Sequence, residues 1–424
     1  MSLPTRRTPP PAARHDRIST FSSLGVRNYR LFFIGQIIST SGTFMQQVAQ
    51  AWLVLDLTHS GKALGLTTAL QYLPVLLLGP YGGVITDRLA KRKILLCTQS
   101  LSGVLALILG GLVAAGLARV WMVDLLALGL GLVNVFDNPT RQTFHMELVG
   151  PGQVRNAVTL YSILVNLARI VGPAVAGTLI ATVGLAPCFL INGVSFVAVV
   201  AMLALMDPAE LQVAPPVPRT PGQIREGFRY VAGTPVLGVS LVMMALIGTL
   251  TFEFQVSLPL LTQFAFHGDA RSYALLTSAM GFGAAFGGLF FAGRKGSAPR
   301  QLVGASLLFG LAVLATACMP SLVLAALAMV AVGACSINFS SLGNSTLQLN
   351  SAPAMRGRVM SLWSVAFLGS TTLGGPIVGW AAETAGPRWG LALGGLAALA
   401  AAAVGLVYLR NLPAPPTEGE PAEA

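Results

Sequence analysis

The sequence predicts an all-α membrane protein: twelve transmembrane helices in two pseudo-symmetric six-helix bundles, with both termini cytoplasmic. Three observations predict it. Of 424 residues, 54% are hydrophobic and only 10% are charged, against about 25% charged in soluble domains, so polar side chains are too few to cover a water-soluble globule. Twelve apolar runs approach the ~20 residues that a span needs. Lysine and arginine concentrate on alternate connections, as cytoplasmic loops do.

Residues 1–28 are basic and proline-rich and read as a disordered cytoplasmic tail. The first run, Leu31–Leu55, is too long for a cleaved signal and lacks a small-residue cleavage site. It carries Gln36, Ser39, Thr43, Gln46, Gln47 and Gln50 at steps of three or four, so most share one face. Ala63–Ile85 and Ile94–Leu117 follow, separated by a basic loop. Trp121–Phe136 carries Asp124 and Asn134, with Asp137, Asn138 and Arg141 at its inner end. Ala157–Val183 contains Arg169, and Pro187–Met206 closes a first bundle over 29–206. The stretch 207–235 holds six prolines and reads as a cytoplasmic linker, with a short interfacial helix over Arg225–Tyr230.

The second bundle covers 236–410. Its runs are Val236–Phe266, Tyr273–Ala292, Leu302–Met319, Leu322–Leu342, Val359–Ala382 and Trp389–Leu409. The first of these places Thr249, Glu253 and Ser257 at i, i+4 and i+8; the fourth carries Ser336, Asn338 and Ser341. Residues 411–424 read as a second disordered cytoplasmic tail. The thinnest separations are near Ala118, Ala186 and Pro320.

With the amino terminus inside, 21 of the 26 Lys and Arg fall in cytoplasmic segments and four in outer loops; Arg169 alone lies within a span. The net charge of +11 therefore calls for no nucleic acid and reflects loops facing anionic headgroups. Four scattered cysteines and four scattered histidines make no metal or haem pattern, and no phosphate-binding loop of the ATPase type occurs. No Ser/His/Asp set lies at membrane depth, so enzyme activity is not expected. No cofactor is implied.

The halves echo each other at an offset of 203: Gly172-Pro173-Ala174-Val175 matches Gly375-Pro376-Ile377-Val378, and Arg155 matches Arg358. Parallel six-helix repeats suit a transporter that rocks two bundles about a midplane site. Spans one, four, seven and ten carry the polar stripes, which in lipid must face protein or a water-filled cavity. The expected cavity residues are Gln36, Phe44, Gln47, Gln50, Asn134, Phe252, Glu253 and Asn338. Loss of bulk water disfavours the charged form of a carboxylate, which makes Glu253 the candidate proton carrier and Asp124 the next. Arg169, near the bilayer centre, has to face the bundle and find acceptors such as Asn166.

The stretch Gly83-Val84-Ile85-Thr86-Asp87-Arg88-Leu89-Ala90-Lys91-Arg92-Lys93 resembles the loop signature of the major facilitator superfamily, between its second and third spans. Phe136-Asp137-Asn138-Pro139-Thr140-Arg141 and Ala168-Arg169-Ile170-Val171-Gly172-Pro173 are similar to the transmembrane secretion effector branch, which includes the enterobactin exporter and drug:proton antiporters. The resemblance covers about residues 25–410 and implies the major facilitator fold in a bacterial cytoplasmic membrane. The antiporter-like motif, Gly172, Pro173 and Gly177, departs from the family pattern at Ala168 and Ala176, and the second-half loop lacks the aspartate. The resemblance also implies an inner gate of Gly83, Asp87, Arg88, Lys91, Arg92, Asp137 and Arg141. In it Asp87 caps the eleventh helix near Val359, and Lys91 or Arg92 pairs with Asp137. The expected function is secondary export of small amphiphilic compounds (drugs, siderophore-like or other metabolites) by proton antiport, from a monomer. A nutrient or metabolite importer of the same fold and a non-transporting sensor or scaffold stay open as alternatives.

Overall fold

The computed structural model describes residues 21–86, 88–213, 223–291, 299–352 and 355–410. The first half comprises α1 (Arg27–Thr58), α2 (Gly61–Thr86), α3 (Lys91–Ala114), the helical stretch Val120–Val183 and α6 (Ala186–Ala204). Val120–Val183 breaks at Gly150, where φ is 70°, into α4 (120–149) and α5 (151–183). That backbone region favours glycine, and Pro151 then opens α5 as a first-turn proline. A linker helix, α7 (Gln223–Ala232), leads to the second half. There α8 (Pro235–Leu250) and α9 (Phe254–Leu260) form one interrupted helix that runs on as a π-turn, Leu261–Ala265. Next come α10 (Ala270–Phe291), α11 (Pro299–Cys318) and α12 (Leu322–Asn350). A second interrupted helix joins α13 (Arg356–Ser364), the π-turn Val365–Gly369 and α14 (Thr371–Thr384); α15 (Pro387–Arg410) completes the half.

Among the described residues, ten helices are long and apolar enough to cross a membrane, with Val120–Val183 taken as one. The 32-residue α1 is outside that set because glutamine and serine dilute its apolar surface.

Within each half the helices pack as a bundle, α1 on α4, α5 and α6, and α11 on α12 and α15. Two pairs cross between the halves: α2 lies along α14, and α5 along α10. The 203-residue offset exchanges these pairs, so the halves meet through equivalent helices. The α2–α14 crossing is a contact of bare backbones. A Cβ at Gly61 would sit 2.6 Å from the Gly379 carbonyl oxygen, and one at Gly375 would sit 2.9 Å from that of Gly65. Both helices carry glycines four residues apart, the spacing that lets two helices touch closely.

Several expectations are corrected. Residues 21–28, expected within a disordered tail, are ordered: Ser23 N–H donates to Asn156 Oδ1 at 3.1 Å, and Asn28 Nδ2 donates to the Asp207 carbonyl at 2.9 Å. The rest of that tail, and 411–424, lie outside the described residues. The fourth helix does not stop at Phe136 but continues to 149, because Asp137, Arg141 and Glu147 find partners inside the bundle. The seventh span is not continuous, since Thr251–Glu253 interrupt it. A helix does occur over the expected Arg225–Tyr230. Glu226 pairs with Arg358 at 2.8 Å, and Tyr230 Oη accepts from Ala352 N–H at 3.0 Å, so α7 rides on the second half. The start of the linker instead belongs to the first half, through Gln212 N–H to the Glu147 carbonyl at 2.8 Å.

Candidate functional site

A cavity of about 320 Å³ lies between the halves, at the lower end of the range for small-molecule sites. The first half supplies Phe44, Gln47 and Val48 from α1, Tyr72 from α2, and Arg169 and Pro173 from α5. The second supplies Phe252 and residues of α9, Tyr273, Thr277 and Met280 of α10, Ser336 of α12, and Phe367 and Thr371. Six of the seventeen lining residues are aromatic: Phe252 packs on Phe367 with centroids 5.0 Å apart, and Trp52 stacks behind Tyr273. As many are polar: Gln47, Arg169, Gln255, Thr277, Ser336 and Thr371.

One end is sealed. Beyond the glycine crossing, Glu383 accepts from Ser60 Oγ at 2.7 Å and from Lys62 N–H at 3.0 Å, and pairs with Lys62 Nζ at 3.1 Å. On the other pair, Ser278 Oγ donates to the Ile170 carbonyl at 3.1 Å. Gly177 admits Ala274 and Arg271 closely, while Gly172 admits the α1 backbone at Ser41. The Gly-Pro motif thus packs on its own half at Gly172, lines the cavity at Pro173 and meets the other half at Gly177. Towards the end that carries the described termini, α2 meets the other half where Leu76 packs on Gly369. Past it Leu77 and Tyr81 of α2 are 60% and 66% exposed.

Of the residues expected on the cavity, Phe44, Gln47 and Phe252 line it. Gln50 lines a neighbouring niche and donates to Gln71 Oε1 at 3.0 Å. Gln36, Asn134 and Asn338 are not among the lining residues. Gln36 is buried within the first half, where its Oε1 accepts from Arg141 Nη1 at 2.6 Å. The α4 stripe is also spent there. Asp137 accepts from Thr98 Oγ1 and Gln99 Nε2, each at 2.7 Å, and ion-pairs with Arg141 one turn on.

This closed network corrects the expected gate. Lys91 pairs with Glu147, not Asp137. Arg92 donates to the Leu203 and Ala204 carbonyls at 2.7 and 2.8 Å, where α6 ends with orphan acceptors. Arg88 is exposed. Asp87 and the contacts of Gly83 lie outside the described residues; the close approach to α4 is seen at Gly82, against the Val135 carbonyl. Asp124 accepts from Thr67 Oγ1 at 2.5 Å, within its own half.

Glu253 occupies the α8–α9 break and is 2% exposed. Among the described residues no donor meets either carboxylate oxygen in strict hydrogen-bonding geometry, and the Thr371 hydroxyl is the side-chain donor placed to act on it. Thr371 and Tyr72, both on the cavity wall, adjoin it. The break also undoes the expected Thr249–Glu253–Ser257 face: Thr249 Oγ1 donates to its own helix, at Ala245. Arg169, expected beside Asn166, is not bound to it; that amide donates to the Ser162 carbonyl. The Arg169 guanidinium lies over the Phe44 ring, 5.6 Å from its centroid. Sequence reasoning missed the seal of Ser60, Lys62 and Glu383, although Gly61–Gly65 and Gly375–Gly379 spell the close-contact spacing in plain view.

Comparison with known proteins agrees with this architecture. The sequence model of the transmembrane secretion effector family matches residues 18–421. The staphyloferrin A transporter of Staphylococcus aureus is 26% identical over 58% of this chain, a match that spans 62% of that relative's length. The enterobactin exporter of Shigella flexneri is 25% identical over 83% of this chain and 84% of its own. Among solved structures, a bacterial homologue of the iron transporter ferroportin in an inward-facing state superposes with a TM-score of 0.69 at 16% identity, covering 90% of this chain and 98% of that one. A bacterial homologue of the lysosomal transporter Spinster, inward-facing and unoccupied, gives 0.66 at 17% identity, covering 90% and 95%.

Proposed function

Because the chain belongs to the transmembrane secretion effector family of the major facilitator superfamily, we propose that it is a secondary active exporter of small amphiphilic compounds, siderophore-like metabolites and drugs among them. The observation that carries this is the cavity between the halves, lined by aromatic and polar side chains of both and closed over at the Glu383 end; in this reading its other end is the open one. Alternating access requires such a site, shared by two bundles that rock about it. The exporter among the relatives supports the outward direction.

In this proposal the chain crosses the bacterial cytoplasmic membrane twelve times, with α1, α4 and α5 each a crossing, and α8–α9 and α13–α14 one crossing apiece. Both termini are cytoplasmic, so the open side faces inward. The working unit is a monomer.

Export is coupled to protons through Glu253. An enclosed carboxyl with at most the Thr371 hydroxyl as donor is costly to keep charged, so it takes a proton while the cavity faces outward and gives it up once inner water reaches Thr371. Because Glu253 adjoins the wall without lining the cavity, the proton acts on the packing of the α8–α9 break against α14 rather than on the substrate. Proteoliposomes test both parts. Uphill efflux under an imposed pH gradient is expected of the native chain, and Glu253→Gln is expected to lose it while keeping downhill exchange. No flux by the native chain would refute transport; gradient-driven efflux by Glu253→Gln would refute the coupling site.

A further inference from the structure

We propose that the cavity selects amphiphiles bearing a single anionic group, a carboxylate in the simplest case, held by Arg169 with the apolar body against Phe44. The inference rests on the transport proposal only in taking this cavity for the substrate's. It comes from the contrast between two arginines in apolar helices. Arg141 has all it needs, an ion pair with Asp137 and the Gln36 amide oxygen. Arg169 makes no hydrogen bond and no ion pair among the described residues; its one partner is the face of Phe44. A lone arginine at membrane depth costs at least ~2.5–3.5 kcal/mol, and the ring returns only part of that.

Arg169 does not escape to the interface. It sits in the middle of α5, with its backbone fixed against Gly281, where a Cβ would lie 2.9 Å from the Arg169 carbonyl oxygen. Its side chain is on the cavity wall. A guanidinium always carries its charge there, and its planar fork matches a carboxylate. Tyr273 and Thr277 stand on the facing wall from α10, and the other aromatic lining residues suit an apolar body. Glu253 is on the other half and does not line the cavity. The anion and the coupling proton are therefore not rivals for one group.

Three matched probes test the proposal: 1-naphthoate, 1-naphthol and 1-naphthylmethylammonium, each by equilibrium dialysis against the full chain in nanodiscs. Charge-assisted hydrogen bonds predict naphthoate binding at least about tenfold tighter than either of the others. Arg169→Ala is expected to remove that advantage while holding naphthol within about twofold, which also reports that the variant is folded. Arg169→Lys keeps part of the preference, and Arg169→Glu reverses it towards the ammonium. Equal binding of all three probes by the native chain, no binding of naphthoate, or an undiminished naphthoate preference in Arg169→Ala would each overturn the anion site. Flux separates it from the transport proposal. Naphthoate bound through Arg169 while the native chain moves no compound at all leaves the site and removes the transporter. Movement of neutral or cationic compounds without naphthoate binding does the reverse.

Discussion

At the residue scale, charge placed in apolar helices sorts by whether the protein itself supplies the counter-group. Asp137 is 1% exposed and accepts from three residues on α3 and α4, so Asp137→Asn leaves Arg141 without its ion pair. Removing one partner of a fully buried pair costs ~3–5 kcal/mol, and the partial exposure of Arg141 puts the expectation at the low end. Thermal unfolding of the purified variant checks it: a clear drop in midpoint is expected for Asp137→Asn and little or none for Arg169→Gln, which breaks no pair. A native-like midpoint for Asp137→Asn would show that the network is not structural. The sequence made these residues easy to find and hard to pair. Asp137, Arg141, Lys91 and Arg92 were legible as a group through the family resemblance of two separate stretches. Their partners were not, because Glu147 and the α6 carbonyls reach them only through packing, and spacing along the chain carries no record of it.

The elements that decide conformation are the two crossed pairs and the two interrupted helices. Helix existence was plain from the apolar runs, whereas the interruption at Thr251–Glu253 and the continuation of α4 past Phe136 were hidden. Apolar composition does not mark where a ladder breaks, nor where buried polar groups keep one going. Two outcomes follow from the α2–α14 contact. Gly65→Val adds a side chain where even a Cβ would lie 2.9 Å from the Pro376 Cα, so it should wedge the sealed end apart. A cysteine placed at Ser60 should then react faster with a membrane-impermeant maleimide added from outside; unchanged labelling would show that the contact does not set the seal. Glu383→Gln weakens an exposed ion pair worth ~0–1 kcal/mol. A shift of that size changes a balanced open/closed ratio by up to about fivefold, and the same labelling should show a smaller increase than for Gly65→Val.

For the whole molecule, class and repeat were legible because composition, the alternation of basic loops and the Gly-Pro recurrence are summed over hundreds of residues. The lining of the cavity was legible only in part, since a polar stripe reports that a face is shielded from lipid and not what shields it: Gln36 is shielded by its own half, Gln47 by the cavity. The topology makes a separate prediction. Fluorescent-protein fusions after Arg410 and before the first helix should both fluoresce, and alkaline phosphatase inserted at Gly116, in the short connection before α4, should be active. Phosphatase activity at either terminus would invert the orientation and turn the open side outward.

The glycine crossing also bears on the membrane as a capacitor. A carrier that passes thousands of molecules must never, in between, become a wire for protons. Side-chain plugs leave crevices where water can thread; two backbones pressed carbonyl to Cα leave none. With Gly61, Gly65, Gly375 and Gly379 in contact, the sealed end serves as the dielectric across which the field drops. Arg169, on the wall of the cavity, is then a charge held inside the membrane. The membrane voltage would thus bear on the loaded and empty carrier unequally, and a voltage clamp would register each turnover as a displaced charge.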